Sequence, residues 1–200
     1  MEKSKLQSFI NRYYLAGNCE AVILNENESG VGCELIDMDQ TVVGKLQWKT
    51  TSFMKGELGI NHTGALMKML SAMGENINID VQEAAGTFML ADTTVIPAVP
   101  SINAEPPYEV TLPIDDEFVS KFIKAKNALP DAKNFAVQVQ GGVIKFIINY
   151  STVNADNISF EIGKSDADMS PICFSADKLK EVLVANKGDK GTMHVSSQGL

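Results

Sequence analysis

The feature that most constrains this chain is a repeat. Four segments place apolar residues at the i, i+3, i+4, i+7 spacing of an amphipathic helix. The first covers about Ser4–Leu15, with Leu6, Phe9, Ile10 and Tyr13 on its stripe. The second covers about Thr63–Met73, with Leu66, Met69, Leu70 and Met73. The third, about Asp115–Leu129, carries Phe118, Phe122, Ala125 and Leu129, and the fourth, about Ala176–Asn186, carries Leu179, Val182 and Leu183. From Leu6 to Phe118 is 112 residues, and from Leu66 to Leu179 is 113. A near-constant offset over two markers implies a duplicated unit of that length.

Helix ends support the same frame. Asn61 or Thr63 suits the start of the second helix and Gly74 its end. Asp115, Asp116 and Glu117 fall in the first turn of the third, where the helix dipole favours negative charge, and Pro130 stops it. Ser175 is a cap for the fourth, and Gly188 follows its end.

Strands are expected between the helices. Ile77–Glu83 alternates strictly, as a half-buried strand does. Phe135–Gln140, the Gly141-Gly142 turn and the returning Val143–Tyr150 form a hairpin. Asn157–Lys164, Ala21–Asn25, Thr41–Trp48 and Thr192–Ser197 read as further strands. The proline-rich stretch from Pro97 to Pro107 reads as an extended connector. The organisation expected is a first domain over 1–100, a connector over 101–107 and a second domain over 108–200. The first unit continues through Gly86 into Thr87–Leu90, whereas the second stops at Leu200 just after Gln198-Gly199 begins a turn. The expectation is that the last strand is missing, as in a truncated product of a longer reading frame.

Composition narrows the class. Hydrophobic residues make up 44% of the 200, enough for a core. No apolar run approaches the roughly 18 residues that span a bilayer. Leu6–Leu15 contains Arg12 and makes a poor signal-peptide core, so a cytoplasmic location is expected. That makes the acceptor patterns Asn61-His62-Thr63 and Asn149-Tyr150-Ser151 moot for glycosylation. Cys19, Cys33 and Cys173 are scattered and read as free thiols. His62 and His194 stand beside no cysteine, so no metal and no cofactor is expected.

The net charge of −8 hides a segregation. The helical spans with their flanks (2–15, 61–74, 115–133 and 176–190) hold twelve of 17 basic and eight of 25 acidic residues, a net of +4. The remainder, with five basic and seventeen acidic, is at −12. At 100° per residue, Lys5, Ser8 and Arg12 lie opposite Leu6 and Ile10, and Lys68 lies opposite Leu66 and Leu70. Lys121 and Lys124 flank a polar arc with Ser120, Asn127 and Ala128, and Lys178 is on the polar side of its helix. Lys126 and Lys180 fall towards the apolar border. Ordinary solvation of surface helices accounts for such lysines. A positive surface that meets phosphates without reading bases is the functional reading, and the acidic remainder favours it.

Catalytic motifs are lacking. There is no nucleophile elbow, P-loop, zincin motif or dinucleotide fingerprint, and Gly30-Val31-Gly32 lacks the following glycine and helix. Asp37-Met38-Asp39 and Asp166-Ala167-Asp168 pair carboxylates that suit a metal or acid–base chemistry, but aspartates between strands favour turns. No catalytic residue is assigned, and a non-enzymatic protein is expected.

Helix and strands repeated four times, in two units, with basic helices on an acidic protein, resembles the DNA polymerase sliding clamps. The likeness is closest to the processivity factors of large tailed phages. It is clearest over Asp115–Lys164, where the helix from Asp116 to Ala125 leads into the Gly141-Gly142 hairpin. It recurs in Pro171–Val195 and from Ala91-Asp92 to Pro97-Ala98-Val99-Pro100. The resemblance implies an α+β clamp fold, each domain having two helices packed on antiparallel sheets. It further implies a homotrimeric ring with helices lining the hole, around double-stranded DNA bound without sequence preference. Lys5, Arg12, Lys68, Lys121, Lys124 and Lys178 are the candidate DNA-facing residues. The DNA polymerase and clamp loader would dock peptides near the connector, around Val95–Pro107. The family pattern departs at the missing last strand, which puts ring closure in question. The alternative reading is a virion or adaptor protein of duplicated αβ units that uses its surface for protein contacts. A metal-dependent hydrolase through Asp37 and Asp39 stands third.

Overall fold

The computed structural model describes residues 2–50, 56–77, 90–91, 107–153 and 156–197. The chain divides into two compact units, Met1–Ser101 and Ile102–Leu200.

In the first unit, α1 (Lys3–Tyr14) buries Leu6, Phe9, Ile10 and Tyr13, the four residues of its apolar stripe. It ends where Leu15 and Ala16 turn left-handed, at φ 46° and 54°. A sheet of order β3-β2-β1-β4-β5 follows, from β1 (Val22–Asn27), β2 (Gly30–Ile36), β3 (Val43–Trp48), β4 (Glu57–Ile60) and β5 (Leu90–Ala91). The helix α2 (Thr63–Ala72) sits between β4 and β5 in sequence. Along β1, Val22 and Leu24 are buried and the residues between are not, the period of a sheet with one face on a core. Phe9 of α1 stacks on Trp48 of β3 at 5.2 Å, tying the helix to the sheet.

In the second unit, β7 (Asn134–Gln140), β8 (Val143–Ile148), β9 (Ile158–Lys164) and β10 (Met169–Ser175) form a sheet of order β10-β7-β8-β9. β6 (Val110–Ile114) pairs separately with β11 (Gly191–Val195). The helices α3 (Asp116–Ala128) and α4 (Ala176–Ala185) share one core with these strands. At its centre Phe118 and Phe122 of α3 meet Phe146 and Phe135 edge-on, at 5.2 and 5.4 Å. Every strand pair among the described residues is antiparallel.

The helices fall within a residue or two of their expected spans. The β7–β8 hairpin turns on Gly141 and Gly142, both with positive φ (59° and 77°), the conformation that a two-residue turn between twisted strands demands. Asp115 and Ser175 cap α3 and α4, accepting from the backbone N–H groups of Phe118 and Lys178.

Other expectations are corrected. On α2, Leu70 is buried but Met69 is 48% exposed and Met73 43%. The inner line runs through the buried Thr63 and Leu70 with the half-buried Leu66 between them, which leaves Met69 and Met73 on its flank. On α4 only Leu183 of the expected three is fully buried; Leu179 and Val182 are half-buried. Neither Asn61 nor Thr63 caps α2. Asp37 is 3% exposed, and its carboxylate accepts from the backbone N–H groups of Thr41 and Val42, both at 2.8 Å. It closes the β2–β3 turn, which removes the metal-hydrolase reading, and no group of metal-ligating side chains occurs among the described residues. Gly30-Val31-Gly32 opens β2, where Val31, Cys33 and Leu35 are buried and Glu34 is exposed. All three cysteines are free, Cys19 and Cys33 buried and Cys173 exposed. Ile77–Glu83 beyond Ile77, Thr87–Met89, the connector up to Pro106 and Gln198-Gly199 lie outside the described residues. No described helix is long and apolar enough to cross a membrane.

Candidate nucleic-acid interface

Each unit presents a pair of antiparallel helices whose inner stripes are held by a core. The pairing is fixed at both ends in the first unit. At one end the Lys3 backbone N–H donates to the carbonyl of Glu75 (2.9 Å), and Lys3 Nζ donates to that of Met73 (2.8 Å), which sets the start of α1 beside the end of α2. At the other, Glu20 Oε2 accepts from the Gly64 N–H at 2.9 Å, and Tyr14 Oη donates to Glu20 Oε1 at 3.2 Å. Glu20 therefore caps α2 from 44 residues away. A carboxylate at that position meets the positive end of the helix dipole and satisfies a backbone donor that has no helical partner.

The second unit joins the same two ends with different residues. Lys126 Nζ donates to the Pro130 carbonyl at 2.8 Å and lies 2.9 Å from Asp177 Oδ1 in the first turn of α4. Lys133 reaches the other oxygen of Asp177 at 3.6 Å, and Lys180 Nζ donates to Asn127 Oδ1 at 3.0 Å. The hydrogen bond from Lys126, followed by the charges of Lys126 and Lys133, holds the Asp177 carboxyl below its ordinary range. Lys126 and Lys180, which fit the outer face poorly in sequence, thus serve helix–helix contact.

With those residues spent on packing, the outer faces are left to the others. On α1, Lys5 is exposed and paired with Glu2 (3.1 Å), and Arg12 is half-buried in the last turn. On α2, Lys68 is exposed opposite the buried Leu70. On α3, Lys121 and Lys124 are both exposed, with Lys121 Nζ 2.7 Å from Glu117 Oε1. On α4, Lys178 is half-buried in the first turn. Lys5, Arg12 and Lys68 are thus on the helix pair of one unit, and Lys121, Lys124 and Lys178 on that of the other. The arrangement offers cations along helix faces, which suits contact with a phosphate backbone. Sequence reasoning missed Glu20, a cap contributed from a distant loop, and Asp177, whose ion-pair partner Lys126 lies on another helix; neither leaves a periodic signal.

No family model matches the chain, and no curated protein sequence does. Solved structures match it closely in shape. One is the PCNA2–PCNA3 complex from Sulfolobus tokodaii, with a TM-score of 0.72 at 12% identity, covering 99% of this chain and 89% of that one. Another is the A. fulgidus PCNA bound to the C-terminal region of FEN-1, with a TM-score of 0.62 at 15% identity, covering 98% of this chain and 86% of that one. The chain has the sliding-clamp fold along nearly its whole length.

Proposed function

We propose that this protein is a DNA sliding clamp, a non-enzymatic processivity factor that encircles duplex DNA and tethers a replicative polymerase. The observation that carries the reading is the coincidence of the clamp fold with two helix pairs that keep Lys5, Arg12, Lys68, Lys121, Lys124 and Lys178 off the core. Sliding needs phosphate contacts that bind without registering sequence, and flexible lysines on helices meet that need. An acidic remainder beside basic helices would steer a polyanion to the helix faces.

Two domains per chain fit a ring of three copies joined edge to edge. Strand β10 supports this reading: it ends its sheet and leaves Cys173 and Phe174 exposed, an edge that proteins ordinarily protect. Partner proteins would dock short peptides near the connector around Val95–Pro107; the C-terminal region of FEN-1 bound to the A. fulgidus PCNA is a precedent for a partner segment on a clamp. The tailed-phage subclass rests on the sequence likeness over Asp115–Lys164.

The test is reversal of charge at Lys121 and Lys124 in the protein assayed with its polymerase and loader. Processive synthesis should be lost while circular dichroism and solution size stay unchanged. Unchanged synthesis would overturn the proposal, as would a strictly monomeric protein at working concentration.

A further inference from the structure

The exposed helix lysines are of two electrostatic kinds. Lys121 is bound to Glu117 one turn earlier (2.7 Å), and Lys5 is bound to Glu2 (3.1 Å). Among the described residues, Lys68 and Lys124 have no ion-pair partner. Lys121 and Lys124 are three residues apart on one exposed helix face, so they face a bound strand together yet start from different states.

We infer that Glu117 and Glu2 act as built-in counterions that compete with DNA phosphates for Lys121 and Lys5, leaving Lys124 and Lys68 as the standing phosphate contacts. This rests on the DNA-clamp reading above. A phosphate meeting Lys124 displaces only mobile salt ions. A phosphate meeting Lys121 must displace a carboxylate already in place, or accept that carboxylate as a like-charged neighbour. The net charge that Lys121 offers is therefore small until Glu117 lets go. The device keeps the protein's hold on DNA weak and exchangeable without reducing the number of lysines, which is what a sliding contact requires.

Full-length protein binding to a short random-sequence duplex across a salt series tests it. The variants are E117Q, D116N, K124Q, K121Q and the double E117Q/K121Q. Asp116 sits beside Glu117 in the first turn of α3 and makes no ion pair among the described residues, so D116N changes the charge equally without freeing a lysine. E117Q should tighten binding about twofold beyond D116N, the scale of one exposed i,i+4 pair. It should also steepen the log–log salt slope by up to about one, the signature of one more neutralised phosphate. Both gains should vanish in the K121Q background. If E117Q merely equals D116N, or its gain survives in K121Q, the counterion role is overturned while the clamp reading stands. If K124Q leaves duplex binding unmoved, the DNA-facing assignment itself fails, and the counterion role with it. Circular dichroism of each variant guards against loss of fold.

Discussion

The Lys126 ammonium, with only 5% of its side chain exposed, lies 2.9 Å from a carboxylate oxygen of Asp177, whose own side chain is 49% exposed. The pair is thus asymmetric, with one ion buried and the other at the boundary of water. Its two members join the last turn of α3 to the first turn of α4, as Tyr14 and Glu20 join α1 to α2 in the other unit. One structural problem, fastening antiparallel helices at their shared end, is solved twice with unrelated side chains.

The asymmetry predicts unequal mutants. Asp177→Ala strands a buried ammonium with only the Pro130 carbonyl, and should destabilise the second unit by roughly 2–3 kcal/mol. Lys126→Met leaves a carboxylate that water can reach and fills the space with an apolar stem, so the loss should stay below about 1.5 kcal/mol. Urea denaturation of both variants checks the order; a larger loss for Lys126→Met would contradict it. Because the folded Asp177 pKa is depressed, its contribution is present above the unfolded value and disappears as pH falls through the folded one. Wild type should therefore lose stability into acid more steeply than Asp177→Asn.

The first unit carries the opposite pH dependence. Burial first, with Cys19 and Glu34 adding, pushes the Cys33 thiol up to about 12. Burial also raises the Tyr13 phenol, with Cys33 and Glu20 adding. Both groups hold protons in the folded state that the unfolded chain releases, so their contribution is complete below the unfolded values and is lost as pH rises towards the folded ones. The single tryptophan, Trp48, stacks on Phe9 and reports on this unit. The urea midpoint followed by Trp48 fluorescence should fall between neutral pH and about pH 10.5. A constant midpoint would contradict the assignment. In the same native protein only Cys173 should react rapidly with a thiol reagent, with Cys19 and Cys33 joining it on unfolding.

Much of this fold was legible because it rests on local periodicity. The stripe Leu6, Phe9, Ile10, Tyr13 and the alternation around Gly141-Gly142 each bury one face, so residue spacing states the element directly. β2 and β10 escaped for different reasons. In β2 the buried Val31, Cys33 and Leu35 alternate with Gly30, Gly32 and Glu34, so only Glu34 marks the outer face and the alternation is nearly hidden. β10 is irregular between Met169 and Ile172 and lies at an edge, where the pattern breaks. The outer-face lysines could be read from helical geometry, but their ion pairs could not. Whether Lys126 faces water or Asp177 depends on a contact 51 residues away.

Gly30 makes a third prediction about the first unit. Its φ is +124°, and a Cβ there would sit 2.2 Å from the Trp48 carbonyl oxygen and 2.8 Å from the Thr50 nitrogen. Both neighbours are backbone, so nothing yields without moving the end of β3. Gly30→Ala should lower the stability of this unit by about 3 kcal/mol or more, through clash added to strain. Gly56, at φ +71°, faces open space, and Gly56→Ala should lose only about 1 kcal/mol. Equal losses by Trp48 fluorescence in urea would show that steric closure at Gly30 is not what matters.

Glu20 offers the sharpest separation of charge from contact. Its carboxylate accepts from the Gly64 N–H at the start of α2 and from the Tyr14 hydroxyl, while its backbone carbonyl accepts from Thr63 Oγ1 at 2.9 Å. The carbonyl bond survives any substitution; the cap does not. Glu20→Ala leaves the Gly64 donor unmet and removes a negative charge from the positive end of α2, for about 1–2 kcal/mol. Glu20→Gln keeps an acceptor oxygen and loses only the charge, so roughly half of that should return. Tyr14→Phe removes a bond near the surface and should lose about 0.5 kcal/mol. Urea midpoints by Trp48 fluorescence should therefore fall in the order Tyr14→Phe, Glu20→Gln, Glu20→Ala. If Glu20→Gln instead matches wild type across a salt series, the helix dipole has no part in fastening α1 to α2, and hydrogen bonding alone holds that end.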